Sequence, residues 1–266
     1  MANKTNLAGF SANPGLNTDV HGTIMNPILL IPARMASTRL PGKPLADIGG
    51  VPMIVRVWER AVAADLGPVV VAAAEAEIVA AVERAGGQAV LTDPELPSGS
   101  DRIWAALTLA DPTSAHDVVV NLQGDLPALD PEQLRTVVAC LYKSGADIST
   151  LAAPIDNEAD KDNPAVVKAV VAWDARERLG HALYFTRATA PTGEGTLYHH
   201  IGLYAYAREA LESFVALPPS PLEKREKLEQ LRALEAGMSI AVARVDAAPL
   251  SVDTPADLEK ARKLLS

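Results

Sequence analysis

Cysteine occurs once in the 266 residues, as Cys140, so no intramolecular disulfide can form; that usage fits a reducing cytoplasm. No apolar run approaches the roughly 18 residues of a membrane-spanning helix. Cations are in the minority, with 24 Lys and Arg against 33 Asp and Glu, for a net charge of −9 and a pI near 5.1. Nucleic acid and anionic membranes call for a basic face, so this balance argues against both as partners. A polyanionic substrate must then be met by local cations and metal ions. The two common phosphate-loop patterns are missing as well. GxxxxGK[ST] does not occur, and Gly42 stands alone where GxGxxG would need company. The first 26 residues have neither the basic start nor the apolar centre of a signal peptide. They are aperiodic, rich in Asn, Gly, Ser and Thr, and end beside Met25. The expectation is a disordered extension over 1–26 and a single domain over 27–266.

What is present is organised around Ile28 to Ile48, ILLIPARMASTRLPGKPLADI. Four apolar residues make a strand buried on both faces. Pro32 then opens a loop carrying Arg34, Arg39 and Lys43, two hydroxyls and Gly42. In open α/β sheets a nucleotide's phosphates sit where a buried first strand empties into such a loop. A solvated turn is the plainer alternative.

Downstream, helices and strands alternate. Helices are expected over Met53 to Asp65, over Glu75 to Ala85 up to Gly86-Gly87, from Ser98 or Ser100 through Ala110, and from Asp130-Pro131 to Gly145. Buried strands fall over Pro68 to Ala72 and Asp117 to Leu122, and a short strand over Ala89 to Leu91. This rhythm predicts an α/β fold, with a mostly parallel sheet and helices on both faces. The second half is less regular. Strands are read over Asp147 to Ile155, Ala165 to Trp173, Ala182 to Thr186, Gly202 to Tyr206 and Ile240 to Val245. Helices are read from Arg208, over Pro221 to Ala236 as one amphipathic element, and over Thr254 to Leu265. An antiparallel portion is thus inserted in the domain.

Two carboxylates end buried segments. Asp125, in Asn121-Leu122-Gln123-Gly124-Asp125, follows a strand and lies where a hard oxygen ligand for Mg²⁺ is useful; it is equally an ordinary turn residue. Asp253, in Val252-Asp253-Thr254-Pro255-Ala256-Asp257, reads by itself as part of a helix start.

IPARMASTRLPGKPLADIGGVPMI resembles the opening of the 3-deoxy-manno-octulosonate (KDO) cytidylyltransferases, the CMP-KDO synthetases of lipopolysaccharide synthesis. Other sugar nucleotidyltransferases carry GxGTRLxPLTxxxPKP, and CMP-sialate synthetases carry IPARGGSKGIPGKN. The resemblance extends over roughly residues 28 to 262 with its motifs in family order. It implies a Rossmann-like nucleotidyltransferase fold, and transfer of CMP from CTP to KDO with release of pyrophosphate. It also implies Mg²⁺, a cytoplasmic enzyme and a homodimer. By the same resemblance Asp125 and Asp253 are the metal ligands. Ala33, Arg34, Lys43, Ser98, Gly99, Arg102 and Gln123 face the nucleotide, with Arg34 and Lys43 on the phosphates. Gln123, Arg187, His200, Tyr204, Glu229 and Gln230 face the sugar, Arg187 offering a bidentate fork to its carboxylate. Two departures stand out: Leu126 where the family usually has an acidic residue, and Ala73-Ala74 where it usually has Thr-Asp. The alternatives are a related sugar acid (an amino-substituted KDO or a sialic acid) and a catalytically silent nucleotide-binding module.

Overall fold

A computed structural model describes residues 26–37 and 39–265. The expectation for the first 25 residues lies outside them, while Asn26 is held by Asp117 and by the Ala115 carbonyl. In chain order the elements are β1 (Pro27–Ala33), a single 3₁₀ turn (Lys43–Leu45), β2 (Asp47–Ile48), β3 (Val51–Pro52), α1 (Met53–Ala63), β4 (Val69–Ala73), α2 (Ala76–Arg84), β5 (Gln88–Leu91), α3 (Gly99–Ala110), β6 (Val118–Asn121), α4 (Pro131–Ser144) and β7 (Ile148–Pro154). There follow α5 (Glu158–Lys161), β8 (Lys168–Trp173), β9 (Leu179–Thr186), β10 (Tyr198–Ala207), α6 (Arg208–Ala216), α7 (Pro221–Glu226), α8 (Leu231–Glu235), β11 (Ile240–Arg244) and α9 (Pro255–Leu265).

One nine-stranded sheet runs in the order β5-β4-β1-β6-β10-β7-β11-β9-β8. The half from β5 to β6 is parallel throughout. Its inner strands β1, β4 and β6 are short apolar runs buried on both sides, which is what a sheet covered on both faces requires, while β5 at the edge is partly exposed. Helices α1, α2 and α4 pack on one face, through Ile54, Val57, Ile78, Val137 and Leu141. Helices α3 and α6 pack on the other, through Ile103, Leu107, Leu211 and Phe214. The antiparallel portion enters through β10, reversed against both β6 and β7, and through the β8–β9 hairpin at the edge. The α/β expectation therefore holds. The two-residue hairpin of β2 and β3 was not foreseen; with Val252 and α9 it forms a small third apolar cluster.

Reversal of β10 matters for the site. β6 ends at Asn121, which pairs with Tyr204, so Tyr198 to Leu203 run on beyond the carboxyl end of β6. Against β7, Ile201 pairs Leu151 and Tyr204 pairs Thr150, leaving Gly202 and Leu203 as a bulge. The Thr150 hydroxyl fills that bulge, within 3.0 and 2.9 Å of the carbonyls of Ile201 and Leu203. Two extra residues rather than one preserve the alternation of side chains. His200 and Tyr204 consequently stay on one face, with ring centroids 5.5 Å apart.

One expectation fails. Pro221 to Ala236 is not one helix: α7 stops at Glu226, Lys227 takes a left-handed conformation at φ 57°, and α8 starts at Leu231. The break is stabilised from both sides. Ser220 and Glu223 form a reciprocal capping box on α7. Arg232 then folds back to grip the Glu223 carboxylate with two nitrogens, at 2.9 and 2.6 Å.

Candidate active site

The loop after β1 and the loops after β6 and β11 meet at the carboxyl edge of the sheet. Gly42, left-handed at φ 69°, turns the first loop back on itself and delivers Lys43 at the start of its 3₁₀ turn. Gly124 has a different reason to be glycine. A Cβ there would lie 2.9 Å from the Pro32 carbonyl oxygen, so only glycine lets the β6 loop pass this close to β1. The Val252 N–H donates to the Asp125 carbonyl at 2.9 Å, tying the β6 loop to the segment before α9.

That tie brings Asp125 and Asp253 together. Lys43 Nζ donates to Asp125 Oδ2 at 2.9 Å and to Asp253 Oδ1 at 3.1 Å, and Arg39 reaches Asp253 Oδ1 at 3.0 Å. Burial alone would lower the Lys43 pKa, but Asp125 and then Asp253 outweigh it, and the ammonium sits above its ordinary value. Two carboxylates within contact of one cation fit a divalent ion as well. No third His, Cys, Asp or Glu joins them among the described residues. An Mg²⁺ held here would complete its shell with phosphate and water oxygens, which is its habit. The helix start is made without Asp253: Thr254 and Asp257 cap α9 between them. Leu126, the departure from the family pattern, is buried in the core beside Asp125 and leaves its carboxylate alone.

Two clefts open from this point. One is lined by Ala33, Arg34, Arg39, Lys43, Ser98, Gly99 and Arg102, the other by Arg187, His200, Tyr204, Glu229 and Gln230. Gln123, Asp125 and Asp253 line both. All the residues singled out in the sequence thus fall on one continuous cleft. Several have structural duties there. Ser98 caps α3. Arg102 is buried and spends its guanidinium on Thr92 Oγ1 and on the carbonyls of Asp93 and Pro94. Arg187 donates through Nε to the Glu226 carbonyl, and through its terminal nitrogens to those of Pro164 and Lys227. Three of the five N–H groups of its guanidinium are therefore engaged by main chain, leaving one on each terminal nitrogen. The break between α7 and α8 is what turns Glu229 and Gln230 into the cleft. Burial raises the Glu229 pKa, with the neighbouring Ser98 and Ser100 hydroxyls opposing it. Its Oε1 is buried without a hydrogen-bond partner among the described residues, while Oε2 accepts from Ser100.

His200 is strongly perturbed by its burial in the cleft. The Thr150 hydroxyl has its own acceptors in the bulge, so it accepts from His200 Nε2–H at 3.1 Å. His200 Nδ1 then accepts from Gln230 Nε2 at 3.5 Å. Burial, with a smaller contribution from His199, pushes its pKa from 6.5 down to about 3. A depressed histidine stabilises the fold above its unfolded pKa, and this contribution is lost as pH falls from about 6.5 toward 3, because only the unfolded chain takes up the proton. Between pH 7 and pH 5 the loss is about 2 kcal/mol. Urea denaturation at both pH values should show the parent chain losing that much more stability than His200→Gln. Equal losses would mean that His200 titrates normally.

The comparisons with known proteins agree with this geometry. The profile of the cytidylyltransferase family matches residues 28–240. The 3-deoxy-manno-octulosonate cytidylyltransferase of Parvibaculum lavamentivorans is 68% identical over 91% of this chain and 93% of its own length. That of Paramagnetospirillum magneticum is 61% identical over 91% and 98%. Among solved structures, a CMP:2-keto-3-deoxy-manno-octonic acid synthetase complexed with CTP superposes with a TM-score of 0.82. It is 37% identical, covering 90% of this chain and 98% of that one. On the family profile and these identities and coverages, the chain belongs to the 3-deoxy-manno-octulosonate cytidylyltransferase family.

Proposed function

We propose that this chain transfers CMP from CTP to 3-deoxy-D-manno-octulosonate, releasing pyrophosphate, in the cytoplasm and as a homodimer. The observation that carries this reading is the sharing of Asp125 and Asp253 between the two clefts. A nucleotide in the cleft of Arg34 and Ser98 and a sugar acid in that of His200 and Gln230 would meet at those carboxylates. The reaction is an in-line displacement: the sugar's anomeric hydroxyl attacks the α-phosphorus of CTP, the new P–O bond forms as the bond to pyrophosphate breaks, and the hydroxyl proton is lost. Both reactants are anions, so positive charge must be concentrated where they meet. Arg34, Arg39 and Lys43 supply it along the phosphate side. Asp125 and Asp253 would hold Mg²⁺, which when bound neutralises phosphate charge and acidifies the attacking hydroxyl. Gln123 lies between the clefts and can orient the hydroxyl through its amide. His200, held neutral with both ring nitrogens engaged by Thr150 and Gln230, fixes the direction of Gln230, whose remaining amide groups can reach sugar hydroxyls. Positioning and electrostatics suffice for such a transfer, and no side-chain nucleophile is required.

The test is pyrophosphate release with CTP and Mg²⁺ against KDO, 8-amino-KDO and a sialic acid. Turnover is expected with KDO well above the other two. Preference for either rival moves the assignment to that sugar acid, and CTP binding without turnover on any of them leaves only a nucleotide-binding module.

A further inference from the structure

The loop after β1 is moored by a residue outside the machinery described so far. Glu75 is the N-cap residue of α2, where an acid ordinarily folds back onto the first N–H groups of its own helix. Its side chain makes no such bond. Instead Glu75 Oε2 accepts the main-chain N–H of Met35 at 2.9 Å, forty positions earlier in the chain. Met35 directly follows Arg34, and its carbonyl accepts the N–H of Gly42 at 3.3 Å. One residue therefore closes the base of the cationic loop on one side and is fastened to the β4–α2 turn on the other. The Ala74 N–H, donating to the Ala33 carbonyl at 2.9 Å, fixes the same two segments one step earlier. Ala73 and Ala74 themselves have no side-chain oxygen to offer. Glu75 also lies within electrostatic reach of the buried Arg102, as does Arg34.

We propose that Glu75 is a positioning residue for nucleotide binding. Through the Met35 N–H it sets the direction in which Arg34 and the loop that follows it face the triphosphate. This rests on the assignment of that cleft to CTP. Without the bond the loop keeps its cations but loses its fixed base, so the cost falls on nucleotide binding and spares the sugar.

Three proteins decide it: the parent chain, Glu75→Ala and Glu75→Gln. Glu75→Gln retains an oxygen that can accept from Met35. CTP binding by calorimetry, the Michaelis constants for CTP and for the sugar acid, and the thermal midpoint are measured on each. Glu75→Ala is expected to weaken CTP binding and raise its Michaelis constant about tenfold, the scale of a lost hydrogen bond to a charged acceptor. The constant for the sugar acid and the thermal midpoint should stay within twofold and about 2 °C of the parent. Glu75→Gln should recover most of the loss. An unchanged Michaelis constant for CTP in Glu75→Ala overturns the proposal. So do equal rises for both substrates, or a Glu75→Gln protein as impaired as Glu75→Ala. If the parent chain itself does not bind CTP, it is the assignment of the cleft that fails.

Discussion

Asp125→Asn and Asp253→Asn are each expected to lower turnover by about 10² or more, roughly 2.7 kcal/mol of transition-state stabilisation. Asparagine keeps the shape and one oxygen donor but removes the charge that both Lys43 and a divalent ion answer to. The double variant should cost far less than the sum, because two ligands of one ion act as a unit. The thermal midpoint supplies the control. The Val252-to-Asp125 bond uses main chain only, and α9 is capped by Thr254 and Asp257, so neither substitution removes a structural contact beyond the ion pairs with Lys43 and Arg39. Those pairs are partly exposed, and such bridges are individually weak. A collapse of the midpoint in Asp253→Asn, or full Mg²⁺-dependent turnover in either single variant, would show that the two carboxylates do not form a metal site.

The second large effect is on stability. Arg232 and Glu223 are only 8% and 14% exposed, and Glu223 Oε2 also accepts the Ser220 N–H of the capping box. Arg232 lies over the Phe214 ring, 5.2 Å from its centroid. Arg232→Met keeps the aliphatic stem and strands the Glu223 carboxylate in a poorly solvated place. Breaking such a pair from one side costs about 3–5 kcal/mol, which for a domain of this size is a fall in thermal midpoint on the order of 10 °C. Lys260→Ala, at an exposed pair with Asp257, should stay within about 0.5 kcal/mol of the parent. If the two variants melt together, the Arg232–Glu223 pair is not what holds the break between α7 and α8.

That break also marks the limit of what the chain's local pattern discloses. The parallel half was legible because each of its elements has its own signals: Asp130 and Pro131 open α4, Gly145 at φ 63° closes it, and each buried strand is a short apolar run. Pro221 to Ala236 carries a capping box and an apolar stripe at helical spacing, with no glycine or proline inside to interrupt it. It breaks at Lys227 because Arg232 reaches Glu223, nine positions back, which a continuous helix would not allow. The early start of β10 at Tyr198 has a similar origin. Polar His199 and His200 look unlike strand interior until β7 and the hydroxyl of Thr150 are in place beside them. Asp125 was legible as a strand-end acid and Asp253 only as part of a helix start, and the family resemblance paired them; their junction with Lys43 depends on loops that close only in three dimensions. Glu75 was out of reach, since an acid at a helix start normally serves its own helix.

The bulge in β10 also constrains how descendants of this chain can change length. Loss of Gly202 or Leu203 alone would turn Tyr198 to Ile201 over, sending the His200 ring to the opposite side of the sheet from Tyr204. Loss of both would leave a flush ladder in which His200 still sits across from Ala152, with Thr150 deprived of the carbonyls it now serves. Insertions and deletions in this strand can therefore preserve the arrangement of its side chains only in steps of two. An alignment of lineages that diverged here should show even-numbered gaps.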